Sequence, residues 1–363
     1  MTGHFAHRLL YIPNEVELGQ QRGPRRVFES LMDEGALEAY KAFALPYEFT
    51  ARGSTARALD DLATMATDLQ PTMVLWQHIM NLPIPASFHR FIRNLESQPL
   101  VAFQDIDPYG WVRKPLPRAS RRLARQADVV YLCGLGSFAR IFRFGGAQRV
   151  RYTSHGYDPE RFALPGEPTP DRAFDVVMIG NRFTSRVPGR RIPGTRKREQ
   201  LAGLLHERFG SRFACFGNGW AGFPFDRGPV SYDRQGQVNQ SAWVTVGWDH
   251  FTPTPYYFSD RLPIALASGV AHVTSFQPGY EAMFPPEHGL FWADSIHEAV
   301  DTVTWLLEQP REYLLDQGAN AAELARSRLN QHSQIVDLIG DMSTLRSQLQ
   351  TKPDRRKRSE RSR

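Results

Sequence analysis

The alternation of short apolar runs with amphipathic segments constrains the fold of this chain more than any other feature. Runs such as Arg8 to Pro13 (RLLYIP), Thr72 to Gln77 and Phe174 to Ile179 have the length and composition of buried strands. The segment from Ala56 to Leu69 carries apolar residues at helical spacing. Because parallel strands need crossover helices, the pattern predicts an α/β fold with a parallel sheet covered on both faces.

A polar, proline-rich segment from Ala163 to Arg172 interrupts this alternation, which restarts at Phe174. With 363 residues the chain is too long for one ordinary core, so we predict two Rossmann-like, doubly wound domains that face each other across a cleft. The predicted parts are an N-terminal domain at 1–165, a C-terminal domain at 172–330, a bracing helix at 331–350 and a disordered basic tail at 351–363.

The formal net charge of +6 is concentrated at the C-terminus. The tail at 351–363 holds seven Lys or Arg residues and two acids, so the rest of the chain is close to neutral. Such a tail is typical of a solvated chain end. The alternative is a weak electrostatic tether to nucleic acid, a membrane or an acidic partner.

The two cysteines, Cys133 and Cys215, lie in apolar, strand-like surroundings, which favours buried thiols over a disulfide or a nucleophile. The apolar runs are much shorter than the roughly 18 to 20 residues of a membrane span, and the N-terminus turns polar too early for a secretory signal. We therefore expect no membrane span and a cytoplasmic protein.

The stretch from Tyr256 to Phe291 is the first place to look for a ligand. It predicts a helix capped by Ser259 and ended by Gly269, a strand at Val270 to Thr274, and a second short helix near Glu281. Helix N-termini beside the carboxyl ends of parallel strands bind phosphates and sugars, because free N–H groups and the helix dipole point there.

Several segments, in this order and spacing, resemble glycosyltransferases of the GT-B architecture, specifically group 1 transferases of the CgeB (spore maturation) type. The resembling segments are ADVVYLCGLGSFARIFRFGGAQRVRYTSHGYDPERF at 127–162, FDVVMIGNR at 174–182, the KREQLAGLL helix with FACFGNGW, and SDRLPIALASGVAHVT followed by YEAMF. The resemblance implies that the second domain binds a nucleotide-diphosphate sugar and the first binds the acceptor. It also implies that basic residues and helix N-termini, instead of a metal or other cofactor, hold the diphosphate.

The loop after Ile179 contains seven cations and no acid, which suits a diphosphate leaving group because bidentate Arg and Lys stabilise its charge. Arg182 and Lys197 are the predicted phosphate ligands, and Arg190 and Arg191 contact either phosphate or an acidic acceptor. The alternative is a solvated loop. The remaining predicted donor-binding residues are Gly180, Asn181, Gly217, Trp220 as a stacking surface or core residue, Ser259, Arg261 and Glu281.

One position departs from the family pattern. The family usually has Glu in the helix motif R-x-x-E-A-L-A-x-G, where it accepts hydrogen bonds from the donor ribose, and this chain has Ile264. Either Asp260 substitutes for that Glu or the donor site has been lost.

In the first domain, His78 ends a strand at the edge that would line the cleft and is the first candidate for a general base. Asp107 follows the next strand and is a second catalytic candidate, as a base or an acceptor contact. Asp105 and Asp107 also match an acid-x-acid metal pattern, but we expect no metal site. His155, and Gly19 in the glycine-bearing loop before the first helix, are cleft candidates; a structural histidine is the alternative for His78.

Three functions therefore remain open: a nucleotide-sugar-dependent glycosyltransferase with an unidentified acceptor, a non-catalytic nucleotide-sugar or carbohydrate-binding protein, and a glycosyltransferase acting on modified DNA. The first follows from the resemblance, the second from Ile264, and the third from the two basic runs.

Overall fold

A computed structural model describes residues 7–78, 82–162, 171–183, 192–285 and 288–351 of the chain. Two parallel sheets organise the described residues, and the first has the strand order β2-β1-β3-β4-β5-β6. Its strands are β1 (Arg8–Ile12), β2 (Ala39–Ala42), β3 (Met73–Gln77), β4 (Leu100–Asp105), β5 (Val129–Leu132) and β6 (Val150–Tyr152). Its helices are α1 (Arg22–Asp33), α2 (Leu45–Arg52), α3 (Thr55–Leu69), α4 (Ala86–Arg93), α5 (Arg118–Gln126) and α6 (Ser137–Phe144).

The second sheet has the strand order β11-β10-β9-β7-β8, and all its strand pairs are parallel. Its strands are β7 (Phe174–Ile179), β8 (Phe213–Phe216), β9 (Ala242–Val246), β10 (Ala271–Ser275) and β11 (Leu290–Ala293). Its helices are α7 (Thr195–Phe209), α8 (Gln235–Gln240), α9 (Arg261–Ala267), α10 (Tyr280–Met283), α11 (Ile296–Glu308) and α12 (Arg311–Arg328). The predicted α/β fold with two Rossmann-like sheets is confirmed.

The inner strands of the first sheet, β1, β3, β4 and β5, are buried on both faces, as the apolar runs predict. Leu10, Val74 and Phe103 point to one face and pack with residues of α3 to α6. Leu9 and Leu75 point to the other face and pack with α1 and with the last helix, α13 (Gln331–Thr351). The chain therefore returns from the second sheet to complete the core of the first.

Two local predictions are wrong. The strand predicted at Ala42 to Tyr47 is instead the end of β2 followed by α2, which begins at Leu45 with Pro46 in its first turn, where the missing N–H costs nothing. The predicted cap by Ser259 is also absent, because α9 begins two residues later and its Asp260 N-cap makes no side-chain capping bond.

The predicted linker falls largely on 163–170 and the basic tail on 352–363, both outside the described residues. Among the helices that the structure describes, none is long and apolar enough to cross a membrane.

Candidate active site between the two sheets

A cavity of about 970 Å³ lies where the carboxyl ends of the two sheets face each other. From the first sheet it is lined by residues that follow β1, β3, β4 and β6, and from the second by residues that follow β7 and β9. The first turns of α13 complete the wall beside the first sheet. This is the position where open α/β sheets bind ligands.

A histidine–aspartate pair stands on the first-sheet wall. Gln77 and Gln104 are register partners on β3 and β4, so the residues after them, His78 and Asp105, are neighbours at the sheet edge. His78 Nδ1 lies 3.3 Å from Asp105 Oδ2, and Tyr109 donates its hydroxyl to the same carboxylate oxygen at 3.1 Å. Asp105 is fully buried, whereas the His78 side chain is 16% exposed and lines the cavity.

The pair sets the protonation chemistry of His78. Burial alone would lower the pKa of His78, but the hydrogen bond and charge of Asp105 outweigh it and raise the pKa above its ordinary value of 6.5. A carboxylate at Nδ1 favours the tautomer with a proton there, which leaves Nε2 free to accept a proton. The arrangement is that of a general base with a positioning carboxylate.

Asp107, the second predicted catalytic residue, lies beside this pair. Its backbone N–H donates to Asp105 Oδ1 at 3.2 Å, and its carboxylate pairs with Lys114 Nζ at 3.3 Å. Asp107 and Lys114 both line the cavity. The structure thus brings Asp107 near His78 but gives its carboxylate a cationic partner.

The two predicted cleft residues differ in position. His155 lines the cavity, its Nε2 has no hydrogen-bond partner, and burial lowers its pKa, so the ring is neutral at pH 7. Gly19 does not line the cavity; it has φ +86° in the loop before α1, and its neighbours Gln20 and Gln21 line the wall instead.

Neutral amides form part of the first-sheet wall, beside the charged residues Asp158 and Arg161. Gln77 Oε1 accepts from the backbone N–H of Asn14 at 3.1 Å, and Gln77 Nε2 donates to Gln104 Oε1 at 3.2 Å. Gln331 and Gln334 on α13 line the same region, and the Gln331 Oε1 and Asn14 Oδ1 atoms are buried without a partner. This wall offers hydrogen bonds without a net charge.

The opposite wall presents a guanidinium. Arg261 begins α9, lines the cavity, and has a buried Nε without a hydrogen-bond partner. Its nearest carboxylate, Asp260, is 3.8 Å from Nη1, so the ion pair is loose. Ser259 and Asp260 also line the cavity, and their contact with a donor stays a prediction.

Behind Arg261, the buried guanidinium of Arg198 joins the loops that follow β7 and β9. Its Nε donates to Trp248 O at 3.0 Å and its Nη1 to Asn181 O at 2.8 Å, and Nη1 lies 2.9 Å from His250 Nε2. Burial first, and Arg198 second, lower the pKa of His250, which therefore accepts this bond as a neutral ring.

The predicted residues Gly180, Asn181 and Gly217 lie in the loops that follow β7 and β8, and Arg198 contacts the first of these loops. Asn181 Oδ1 accepts from the Asn218 backbone at 2.9 Å, and a Cβ at Gly217, whose φ is +144°, would lie 2.4 Å from Gly180 O. These residues hold two strand ends together and do not line the cavity.

Three predicted donor ligands lie outside the cavity lining. Arg182 Nε pairs with Glu199 at 2.9 Å, and Lys197 Nζ stands 5.6 Å from the Trp248 ring centre; neither lines the cavity. Glu281 is exposed on α10, outside the cavity lining. Arg186, Arg190 and Arg191 lie outside the described residues.

Trp220 is a core residue, so its role as a stacking surface is wrong. Its side chain is fully buried, its Nε1 donates to Gly180 O at 2.6 Å, and its ring packs against Phe223 and Phe225. The aromatic residues three and five positions later are the sequence signal for this local cluster.

Ile264 faces the protein interior. It is fully buried in an apolar cluster with Phe258, Tyr280 and Leu324. The position of the family Glu therefore points away from the cavity in this chain, and Asp260, which lines the cavity, is the acid nearest to it in sequence.

Within the described ranges, no group of three or more His, Cys, Asp or Glu side chains has the arrangement to hold a metal ion. Cys133 and Cys215 are free and buried, and burial raises the pKa of both thiols.

Comparison with protein families supports the interpretation of this cavity. Residues 194–336 match a family model described as glycosyl transferase-like. This range contains α7 to α12 and the start of α13, and hence the wall with Arg261. No curated protein sequence matches the chain.

Solved structures share the fold at low sequence identity. A glycosyltransferase from Rickettsia africae has a TM-score of 0.60 at 10% identity, covering 94% of this chain and 98% of that one. Alr3699/HepE from Anabaena, solved with UDP and glucose, has a TM-score of 0.58 at 12% identity, covering 93% and 99%. Sucrose-phosphate synthase from Thermosynechococcus elongatus has a TM-score of 0.54 at 13% identity, covering 93% and 98%.

The match over 194–336 and the shared two-sheet architecture agree with the resemblance found in the sequence, while the narrower CgeB-type assignment stays a prediction. The chain therefore has the GT-B fold of these structures, and its residues 194–336 resemble the glycosyl transferase-like family.

Proposed function

We propose that this enzyme transfers a sugar from a nucleotide-diphosphate sugar to a hydroxyl group of its acceptor inside the cavity between the two sheets. The observation that carries the proposal is that one cavity has the His78–Asp105 pair on its first wall and Arg261 on the opposite wall. Proton removal and leaving-group stabilisation are the two tasks that glycosyl transfer requires, and each wall supplies one of them.

In the proposed reaction, His78 Nε2 accepts the proton of an acceptor hydroxyl as its oxygen bonds to the anomeric carbon of the donor. The bond from that carbon to the diphosphate breaks, and the nucleoside diphosphate leaves with the electron pair. Arg261 contacts the diphosphate, because it lines the cavity at the start of α9 and its ion pair with Asp260, 3.8 Å from Nη1, is loose. Asp105 and Tyr109 position His78 and are not themselves catalytic residues.

The donor is proposed to carry UDP, because Anabaena Alr3699/HepE was solved with UDP-glucose. The reaction is proposed to need no metal, with Arg261 contributing the positive charge. The first wall favours an uncharged, hydroxyl-bearing acceptor over a phosphate-bearing one. Asn14, Gln77, Gln104 and Gln334 offer hydrogen bonds without charge, and the charged Asp158 and Arg161 on this wall are already paired with Arg26 and Asp233.

A second candidate is a protein that binds nucleotide sugars without transferring them. It is favoured by Ile264, since the ribose loses the carboxylate that the resembling family supplies. Transfer to modified DNA has less support, because the basic runs that motivate it lie largely outside the described residues.

Three narrower expectations remain proposals. The CgeB-type assignment rests on the order of the resembling segments, and the cytoplasmic location on the two free buried cysteines. A weak polyanion contact by 351–363 rests on the charge of that segment.

The test is a donor panel of UDP-, GDP-, ADP- and dTDP-sugars with neutral glycans as acceptors, reading nucleoside diphosphate release beside the shift in melting temperature. We expect one donor to raise the melting temperature and to be turned over, with activity retained in EDTA and lost in His78→Asn. Donor binding without turnover across all acceptors would support the binding protein instead. Loss of turnover in EDTA would overturn metal independence.

A further inference from the structure

The surface formed by residues 108–150 is strongly basic. This segment holds nine Lys or Arg residues and one acid, Asp128, although the chain without its tail is close to neutral. Asp128 is engaged by Arg93 at 2.7 Å, and Lys114 pairs with Asp107. In the part of the chain that the structure describes, no carboxylate pairs with the exposed arginines that remain. These are Arg113, Arg118, Arg121, Arg122, Arg125, Arg140 and Arg143.

Large apolar side chains project from the same surface. Trp111 is 54% exposed, Val112 is 87% exposed and Phe144 is 75% exposed. The rings of Trp111 and Phe144 contact each other edge to face, with 5.6 Å between their centres. Two segments that are 33 residues apart in sequence thus form one apolar tip.

The arginines surround this tip. Arg118, Arg121 and Arg125 lie on the exposed side of α5, one helical turn apart, while Ser120, Leu123 and Ala124 are buried beneath them. Arg125 Nε donates to Gly145 O at 2.7 Å, which fixes α5 beside the residue after Phe144. Arg140 and Arg143 are on α6, directly before Phe144. The apolar tip and these arginines therefore lie on adjoining segments, which together are named the basic–aromatic surface.

We propose that the basic–aromatic surface docks the protein on an anionic lipid bilayer. Trp and Phe partition into the interfacial region of a bilayer, and Arg side chains bind anionic headgroups while their stems remain in apolar surroundings. Charge complementarity favours an anionic partner, and Val112 favours lipid over nucleic acid, because an exposed aliphatic tip neither stacks on bases nor binds phosphate.

The docked membrane would lie at the rim of the cavity. Trp111 and Val112 belong to the loop whose ends, Asp107 and Lys114, line the cavity, and the loop is closed by a bond from Gly110 N–H to Lys114 O at 3.1 Å. Docking requires neither a sugar donor nor sugar transfer. Vesicle binding can therefore fail while the transfer reaction proceeds, and the transfer reaction can fail while vesicle binding persists.

The experiment is co-sedimentation of the full chain with vesicles of phosphatidylcholine alone or with phosphatidylglycerol added. We expect binding to the anionic vesicles, with a blue shift of tryptophan fluorescence. The variant Trp111→Ser, Val112→Ser, Phe144→Ser should bind at least tenfold more weakly with an unchanged melting temperature. Replacing Arg118, Arg121 and Arg143 by Gln should cost about fivefold for each arginine.

Two controls separate this surface from other sources of binding. Trp305→Ser removes an aromatic side chain that is 45% exposed on α11, and should leave vesicle binding unchanged. A chain ending at Thr351 tests the basic tail, and should retain most of the binding. Equal binding to both vesicle types, loss of binding only with the tail, or tighter binding to DNA that is insensitive to the apolar substitutions would each overturn the proposal.

Discussion

The two walls of the cavity are built from different chemistry, although similar parallel sheets support them. The first-sheet wall presents neutral amides and a histidine whose pKa Asp105 raises above its ordinary value. The second-sheet wall presents the guanidinium of Arg261 on loops joined by the buried Arg198. Under the proposed function, the first wall removes a proton and the second wall holds the charge of the diphosphate.

A substitution at Ile264 tests whether the second wall lacks the carboxylate that binds the donor ribose in the resembling family. Ile264→Glu should lower the free energy of unfolding by about 3 to 5 kcal/mol, since it buries an unpaired carboxylate among apolar side chains. Chemical denaturation of the variant measures this loss, and Ile264→Val, expected to cost about 0.5 to 1.5 kcal/mol, is the matched control. A variant with unchanged stability and tighter donor binding would place this side chain at the ribose instead.

Replacing His78 tests the proposed role of the first wall in proton removal. His78→Asn should lower kcat/KM by about 10²- to 10³-fold, the usual contribution of a general base, while donor affinity changes little. Steady-state kinetics and calorimetry measure the two quantities separately. His297→Asn, an exposed histidine on α11, should leave both unchanged. A comparable loss of donor affinity in His78→Asn would show that the histidine binds the donor.

The fixed charge of the second wall is tested by Arg261→Ala. Loss of a charge-assisted contact should weaken nucleoside diphosphate binding by about 1 to 3 kcal/mol and nucleoside binding by less. Arg182→Ala is the comparison, and should cost no more than about 1 kcal/mol because Glu199 already occupies that guanidinium. Calorimetry measures the nucleoside diphosphate affinity of both variants. A larger loss of affinity in Arg182→Ala than in Arg261→Ala would indicate that the loop after β7 binds the phosphates.

Strand interiors could be predicted from sequence where burial alone determines residue type. Phe174–Ile179 and Phe213–Phe216 form strands with the predicted bounds, because fully buried strands consist of continuous apolar runs. The predicted strand at Ala42 to Tyr47 failed for the opposite reason. The apolar run Phe43, Ala44 and Leu45 lies where β2 has ended and α2 begins. An apolar run this short fits both the period of a strand and the period of a helix.

The site was less predictable because its contacts join distant segments. His78 and Asp105 were recognised separately, but their pairing depends on β3 and β4 being neighbours in the sheet. Trp220 follows a glycine-bearing turn of the kind that borders ligands, yet the aromatic cluster around it is decided by packing. Arg198, one of seven cations in a basic run, became buried because backbone carbonyl groups satisfy its donors.

The smallest expected effect is a displacement of the pH profile, and it separates the two walls most directly. Only neutral His78 accepts a proton, so kcat/KM should rise with pH through the pKa of His78, which Asp105 holds above 6.5. Asp105→Asn removes the charge that raises this pKa and leaves burial, which lowers it, so the acidic limb should move to lower pH. Arg261→Ala should lower activity without moving the limb, because that side chain lies on the other wall and does not contribute to the pKa shift of His78. The pH dependence of kcat/KM for the parent and both variants measures the displacement. An acidic limb that is displaced in Arg261→Ala but not in Asp105→Asn would contradict the assignment of proton removal to the first wall.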